Sequence, residues 1–230
     1  MDKEIRLQKV IEQHQIWLTD RSKGSRAYLA YLDLSGLEFP YVDLRYADLS
    51  GADLSNSDLS NADFSNACLD RTIFDGSDLN RACFCNASMR YSCLRTANLT
   101  NANLRKADLY CSNFHCANLT NANLSYANLV FARLCEACLG QAKLHKANLA
   151  NANISCAHFS DRIVCVDCIG SVKRPTIYNI TKDIVWCGCF CGTFKEWVAK
   201  IRKTYPDDKN AYRREYEAAI AYFKSLAGIK

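Results

Sequence analysis

The stretch "ANLTNANLRKADL", residues 97–109, repeats with a period that suits neither a helix nor a straight strand. Ala97, Ala102 and Ala107 stand five residues apart, and so do Leu99, Leu104 and Leu109. A helix would carry such leucines around its axis, and a straight strand would send alternate ones to opposite faces. Working outward, every fifth residue from Leu34 to Phe159 is Leu, Phe, Met or Ile, which makes 26 consecutive centres. Two residues before each centre, from Ala47 to Ala157, only Ala, Ser or Thr occurs. Positions two apart on an extended segment face the same way. Each unit therefore points one small and one large residue inward and then turns a corner. Repeated corners wind the chain into a coil, and stacked coils pair as parallel strands. The pattern describes a solenoid.

The runs "ADLSGADLSNSDLSNADFS" (47–65) and "ANLTNANLRKADLY" (97–110) resemble the A(D/N)LXX signature of the pentapeptide-repeat proteins. That resemblance implies an all-β solenoid, a right-handed quadrilateral β-helix with four pentapeptides per coil. At the ~4.8 Å spacing of neighbouring strands, about six and a half coils make a rod roughly 30 Å long. With residue n stacked on n+20, one core ladder is Leu34, Leu54, Phe74, Leu94, Phe114, Leu134 and Ile154. Another is Leu44, Phe64, Phe84, Leu104, Leu124 and Leu144.

Three segments follow. Residues 1–27 hold an amphipathic capping helix, with Leu7, Ile11, His14 and Leu18 along one stripe, and the linker "TDRSKGSR". Residues 28–160 form the β-helix. Residues 161–230 read as a ββαα cap: a hairpin around Thr181-Lys182-Asp183, then two helices. Thr193 and Glu196 form a capping-box pattern, and Tyr212, Tyr216, Ala219, Phe223 and Leu226 mark the second helix. This tail resembles the C-terminal caps of some bacterial and phage family members through "IGS" (169–171) and "CGCFCGTFKEW" (187–197). Its aromatic helix faces make homodimerisation through the C-terminal helices the sharper alternative to a plain cap.

The opening residues mix charges through the apolar ones, so no signal peptide or membrane span is expected. Fourteen cysteines without an export signal point to reduced thiols and a cytoplasmic location. The net charge of +5 hides an asymmetry. Residues 33–78 carry ten acids and two bases, whereas residues 79–160 carry two acids and eight bases. Some relatives are known to act on DNA gyrase by imitating DNA with an acidic rod, so topoisomerase modulation is one implied function. A mimic needs negative charge along its whole length, and here the sign reverses. Direct nucleic-acid binding is disfavoured too, because the bases are scattered and no binding motif accompanies them.

On one edge, Tyr110 stacks on Val130, and Tyr91, Cys111 and Phe131 stack beside them. This outward apolar stripe, Tyr91, Tyr110, Val130 and Phe131, is the candidate partner site. In the tail, Cys165-x2-Cys168 and Cys187-x-Cys189-x-Cys191 suggest a zinc module, although alternating cysteines on a strand equally read as small residues packed on one face. Folding the repeat also gathers His115, Cys116, Cys135, Glu136, Cys138, Cys156 and His158 around one corner. Cysteines at Cys68, Cys83, Cys85 and Cys93 occupy wall positions as well, which favours wall residues over metal ligands there. No nucleophile elbow or phosphate loop is present, and no cofactor is expected. The chain reads as a non-catalytic scaffold that presents a rigid β-helical surface to an unidentified protein partner.

Overall fold

A computed structural model describes residues 3–154, 157–159, 163–169, 174–180, 183–187 and 190–229. From Tyr28 to His158 the backbone makes single-residue parallel bridges, each joining residue n to n+20, from Tyr28–Asp48 to Cys138–His158. Twenty residues therefore complete one turn. The bridges recur every five residues, so each turn has four sides. The side centred on Leu44 shows the bonding. Leu44 N–H donates to the Asp63 carbonyl (2.8 Å), Tyr46 N–H to that of Ser65 (3.0 Å), and Asp63 N–H to that of Val42 (2.9 Å).

Each corner is a β-turn. Ala47 N–H donates to the Leu44 carbonyl (3.0 Å), and the third residue of that turn, Tyr46, has φ 64°. A positive φ recurs at every fifth residue from Tyr31 to Asn151. This is the sign that type II turns require at their third position, where Gly and Asn fit best. Gly36, Gly51 and Gly76 supply the first, and Asn56, Asn61, Asn66, Asn86, Asn101, Asn121 and Asn151 the second. The left-handed residue resets the strand alternation, which is why a five-residue period keeps its large residues inward.

The interior is filled as the period predicts. Leu99, Leu104, Leu109 and Phe114, with Ala97, Ala102 and Ala107 between them, are sealed from solvent. Phe64 and Phe84 stack at 5.2 Å between ring centroids, and Phe74 sets its edge against both at 6.0 Å. Buried hydroxyls in the wall find backbone partners: Thr72 donates to the Leu49 carbonyl (2.9 Å) and Ser77 to that of Leu54 (2.6 Å). The pattern begins one unit before Leu34, at buried Ala27 and Leu29.

Helix α1 (Lys3–Thr19) lies against the first turn. His14 is buried there, and Ala27 N–H donates to its Nδ1 (3.1 Å). Nδ1 therefore carries no proton, and Nε2–H donates to the Arg45 carbonyl (3.0 Å). Trp17 stacks on the ring at 5.6 Å, and Arg21 covers both Trp17 and Tyr46. The chain then reverses at Gly24, φ 65°, where a Cβ would stand 2.3 Å from the Gln13 carbonyl oxygen.

The tail differs from the expected ββαα arrangement. Four antiparallel strands run in order, β1 (Ile163–Ile169), β2 (Arg174–Asn179), β3 (Ile184–Cys187) and β4 (Phe190–Gly192). The β2–β3 hairpin falls at the predicted place, although Thr181 and Lys182 lie outside the described residues. The run after Ile184 is split in two, because Cys187 pairs with Phe190 and the strand folds back on itself. Helices α2 (Phe194–Thr204) and α3 (Ala211–Ala227) follow, and the Thr193–Glu196 capping box is formed. The predicted stripe of Tyr216, Ala219 and Phe223 packs on Trp197, Phe194 and Tyr178 in a second core.

Two predictions follow from this packing. Ala122 is sealed in the wall, so Ala122→Leu should destabilise by about 1–3 kcal/mol through overpacking, read from the denaturant midpoint. Burial holds the His14 pKa below its usual value, outweighing its hydrogen bond to Arg45 and the nearby Asp43 carboxylate. Below about pH 6.5 the unfolded chain takes up a proton that native His14 resists, so stability is lost as pH falls through that region. In His14→Gln the difference in midpoint between about pH 7.5 and pH 5.5 should shrink.

Candidate interaction surface

The Asp or Asn before each centre has a local task. Its Oδ1 accepts the N–H two residues on, as in Ser50→Asp48 (3.0 Å), Ser55→Asp53 (2.9 Å) and Ser60→Asp58 (2.9 Å). Asparagine serves equally at Asn98, Asn113 and Asn123. These are Asx-turns feeding each corner. Where the position holds Ser88 or Cys93, Asp70 and Asp75 reach up one turn and accept from the N–H of Arg90 (2.9 Å) and Arg95 (2.8 Å) instead. Nine of the ten acids in residues 33–78, all but Glu38, accept such a backbone bond. The turn needs an acceptor oxygen rather than a charge, so the acidity of this half is an addition to the fold.

The stacked acids are also partly neutralised. Asp43 bridges to Asp63, and Arg45 lies between them, 2.7 Å from the first and 3.8 Å from the second. Burial raises the Asp43 carboxyl, but hydrogen bonds from the Arg45 side chain and backbone outweigh it and hold the pKa below the ordinary value.

The edge stripe is continuous. Tyr91 meets Tyr110 edge-on at 5.6 Å, and Tyr110 meets Phe131 at 5.8 Å. Tyr91 and Phe131 are each about half exposed, at 51% and 48%. Val130 lies beside them and is half-buried. Arginines border the rings: Arg71 lies over Tyr91 at 6.0 Å and Arg90 over Tyr110 at 5.4 Å. The same edge runs further than the sequence pattern suggests, because Tyr31 lies across Gly51 in the turns below. Reading residues at intervals of twenty (Tyr31, Gly51, Arg71, Tyr91, Cys111, Phe131) would have found it.

The cysteines fall into three groups. Cys85 and Cys93 are wall residues, and burial pushes their thiols up to about 12 and about 11, aided by Cys83 and Asp75 respectively, which makes them poor nucleophiles. In the tail, Cys187 ends β3 and Cys191 lies in β4, so the single strand face proposed for Cys187, Cys189 and Cys191 does not exist. The reason is the β3–β4 reversal. Cys165 pairs with Ile177 and Cys187 with Thr176, which leaves the whole of β2 between them. Cys189 and the side chains of Cys165, Cys168 and Cys191 lie outside the described residues. Cys187 itself accepts from the Thr176 hydroxyl at 3.1 Å. The corner group divides: His115, Cys116 and Glu136 come together, whereas Cys138 pairs with His158 on another side and Cys156 lies outside the described residues.

Around the tail helices, a groove of about 420 Å³ is lined by Phe194, Lys195, Val198, Arg202, Lys224 and Ile229. Tyr212 and Tyr222 are exposed on α3. Among the described residues, no helix is long and apolar enough to cross a membrane.

A family model described as pentapeptide repeats matches eight copies across residues 38–76, 56–90, 94–125 and 127–161. No curated protein matches the chain. Among solved structures, QnrB1, a plasmid-mediated fluoroquinolone resistance protein, is 24% identical over 55% of this chain and 69% of its own, with TM-score 0.45. HetL from the cyanobacterium Nostoc, involved in heterocyst differentiation regulation, is 25% identical over 61% of this chain and 90% of its own, with TM-score 0.20. Rfr23 from the cyanobacterium Cyanothece is 24% identical over 65% of this chain and 95% of its own, with TM-score 0.31.

If the turn needs an acceptor and not a charge, Asp53→Asn should leave stability within about 0.5 kcal/mol of the native chain, whereas Asp53→Ala should cost about 1 kcal/mol. Equal losses in both variants, measured by urea unfolding, would show that the charge itself matters.

Proposed function

The chain belongs to the pentapeptide repeat family, and on that premise we propose that it is a non-catalytic cytosolic scaffold that binds a protein partner along one edge of a right-handed quadrilateral β-helix. The observation that carries this reading is the exposed ladder of Tyr91, Tyr110 and Phe131, bordered by Arg71 and Arg90. Tyr91 and Phe131 occupy corners with φ 59°, where the fold would accept Asn at lower cost, as it does at Asn101 and Asn121. Bulky rings kept at disfavoured corners and left half exposed support selection for contact and not for folding.

Aromatics and arginines are the side chains most enriched where binding energy concentrates. Turns locked by backbone bonds on both sides lose little entropy on association, so the edge is preorganised. The arginines favour a partner whose matching face carries carboxylates around an apolar centre. Imitation of DNA is the weaker reading, because the sign of the charge reverses beyond residue 78.

The test compares immobilised native chain with Tyr91→Ala/Phe131→Ala. Both side chains lie on the surface, so the double variant should keep its melting temperature and lose at least about 90% of partner capture, as removal of two central anchors would. Capture that is equal for both forms would dispose of the edge. Inhibition of gyrase supercoiling by both forms alike would favour the topoisomerase reading instead.

A further inference from the structure

We propose that His115, Cys116 and Glu136 form a surface site for a zinc ion. His115 and Cys116 occupy the corner after Phe114, and Glu136 occupies the same corner one turn on. Cys116 Sγ stands 3.5 Å from His115 Nε2 and 3.5 Å from a Glu136 carboxylate oxygen, and all three ligand atoms lie within 4.8 Å of one another. Tetrahedral zinc, with Zn–N of 2.0–2.1 Å and Zn–S of about 2.3 Å, sets its nitrogen and sulfur ligands about 3.6 Å apart. The sulfur is thus already at the right separation from both neighbours. Rotation of the exposed Glu136 side chain closes the third edge.

The histidine gives a second, independent indication. Its Nδ1 lies 3.2 Å from the Cys135 carbonyl, which can only accept, so Nδ1 carries the proton. In the neutral ring Nε2 is then the bare lone pair, and it faces Cys116 Sγ at 3.5 Å. A ligand histidine is held in this way, with its far nitrogen donating to a backbone carbonyl that fixes the tautomer and the ring. A set of one imidazole, one thiolate and one carboxylate suits a borderline-soft cation and excludes calcium and magnesium, which take oxygen ligands. On binding, zinc takes Cys116 as the thiolate and the thiol proton goes to solvent. Three protein ligands leave the fourth position to water.

The proposal departs from the reading of this corner as wall residues. Cys93 precedes Leu94 on a wall and Cys85 follows Phe84 with Cys83 beside it, whereas Cys116 is at the left-handed corner position, φ 57°, in contact with two other potential ligands.

The experiment uses the full chain stripped with a chelator, then titrated with zinc chloride against a chromophoric competitor, with cobalt(II) as a spectroscopic probe. The native chain should take up zinc, and its cobalt form should show thiolate-to-metal charge transfer. His115→Gln and Cys116→Ser should each weaken zinc binding at least about tenfold and abolish or shift that band, while their metal-free melting temperatures stay native. Cys187→Ser should bind as the native chain does, which separates this corner from the tail cysteines. Zinc uptake unchanged in His115→Gln and Cys116→Ser, uptake lost only in Cys187→Ser, or no uptake by the stripped native chain would each overturn the site.

Discussion

The backbone ladder between residues twenty apart is the constraint on which the rest of the molecule depends. A side inside the coil gives three N–H groups to its neighbouring turns, and most corners close one more bond on themselves. That leaves few backbone groups for the interior to satisfy, so the core can be filled mostly with Leu, Phe and Ala, with Ser or Thr at a few wall positions. The ladder holds only if the chain returns to register every five residues. The left-handed corner residue secures that return, at a local cost wherever it is neither Gly nor Asn.

Once the ladder is set, the outer positions are largely released from folding duty. The Asx-turn asks for an oxygen, and Asp and Asn supply it alike. Charge can therefore be distributed along the rod without disturbing the coil, and this chain places acids in the first turns and bases in the later ones. The corners accept varied side chains as well, at the cost of the left-handed φ. A tyrosine and a phenylalanine build the exposed edge, and elsewhere a cysteine and a glutamate come into contact one turn apart. Surface chemistry in such a fold is written in steps of twenty.

The two ends follow a different logic, since a repeat cannot satisfy its own terminal turns. At the start, one histidine accepts a backbone N–H and donates to a backbone carbonyl of the first turns, which with the Gln15 amide bond to the Asp43 carbonyl fastens α1 to the coil. At the other end, a four-stranded meander and two helices bury their own aromatics in a separate core around Trp197 and Phe223.

The five-residue period by itself determined the solenoid, its inward residues and the span of the coil, because a period that fits neither helix nor strand leaves few other objects. It placed the Tyr91–Phe131 edge as well, once the turn length was granted. The capping box at Thr193 was legible for the same reason, being a contact between residues three apart. What only the tertiary structure decided depends on residues distant in sequence. The use of Asp70 and Asp75 by the next turn, the tautomer of His14, and the closing of His115 and Cys116 on Glu136 each require two turns to be laid side by side. The split of the last strand pair at Cys187 is of the same kind. Whether "CGCF" continues a strand or reverses it depends on which neighbour offers hydrogen bonds, and β2 on one side and β4 on the other settle that only in the folded chain.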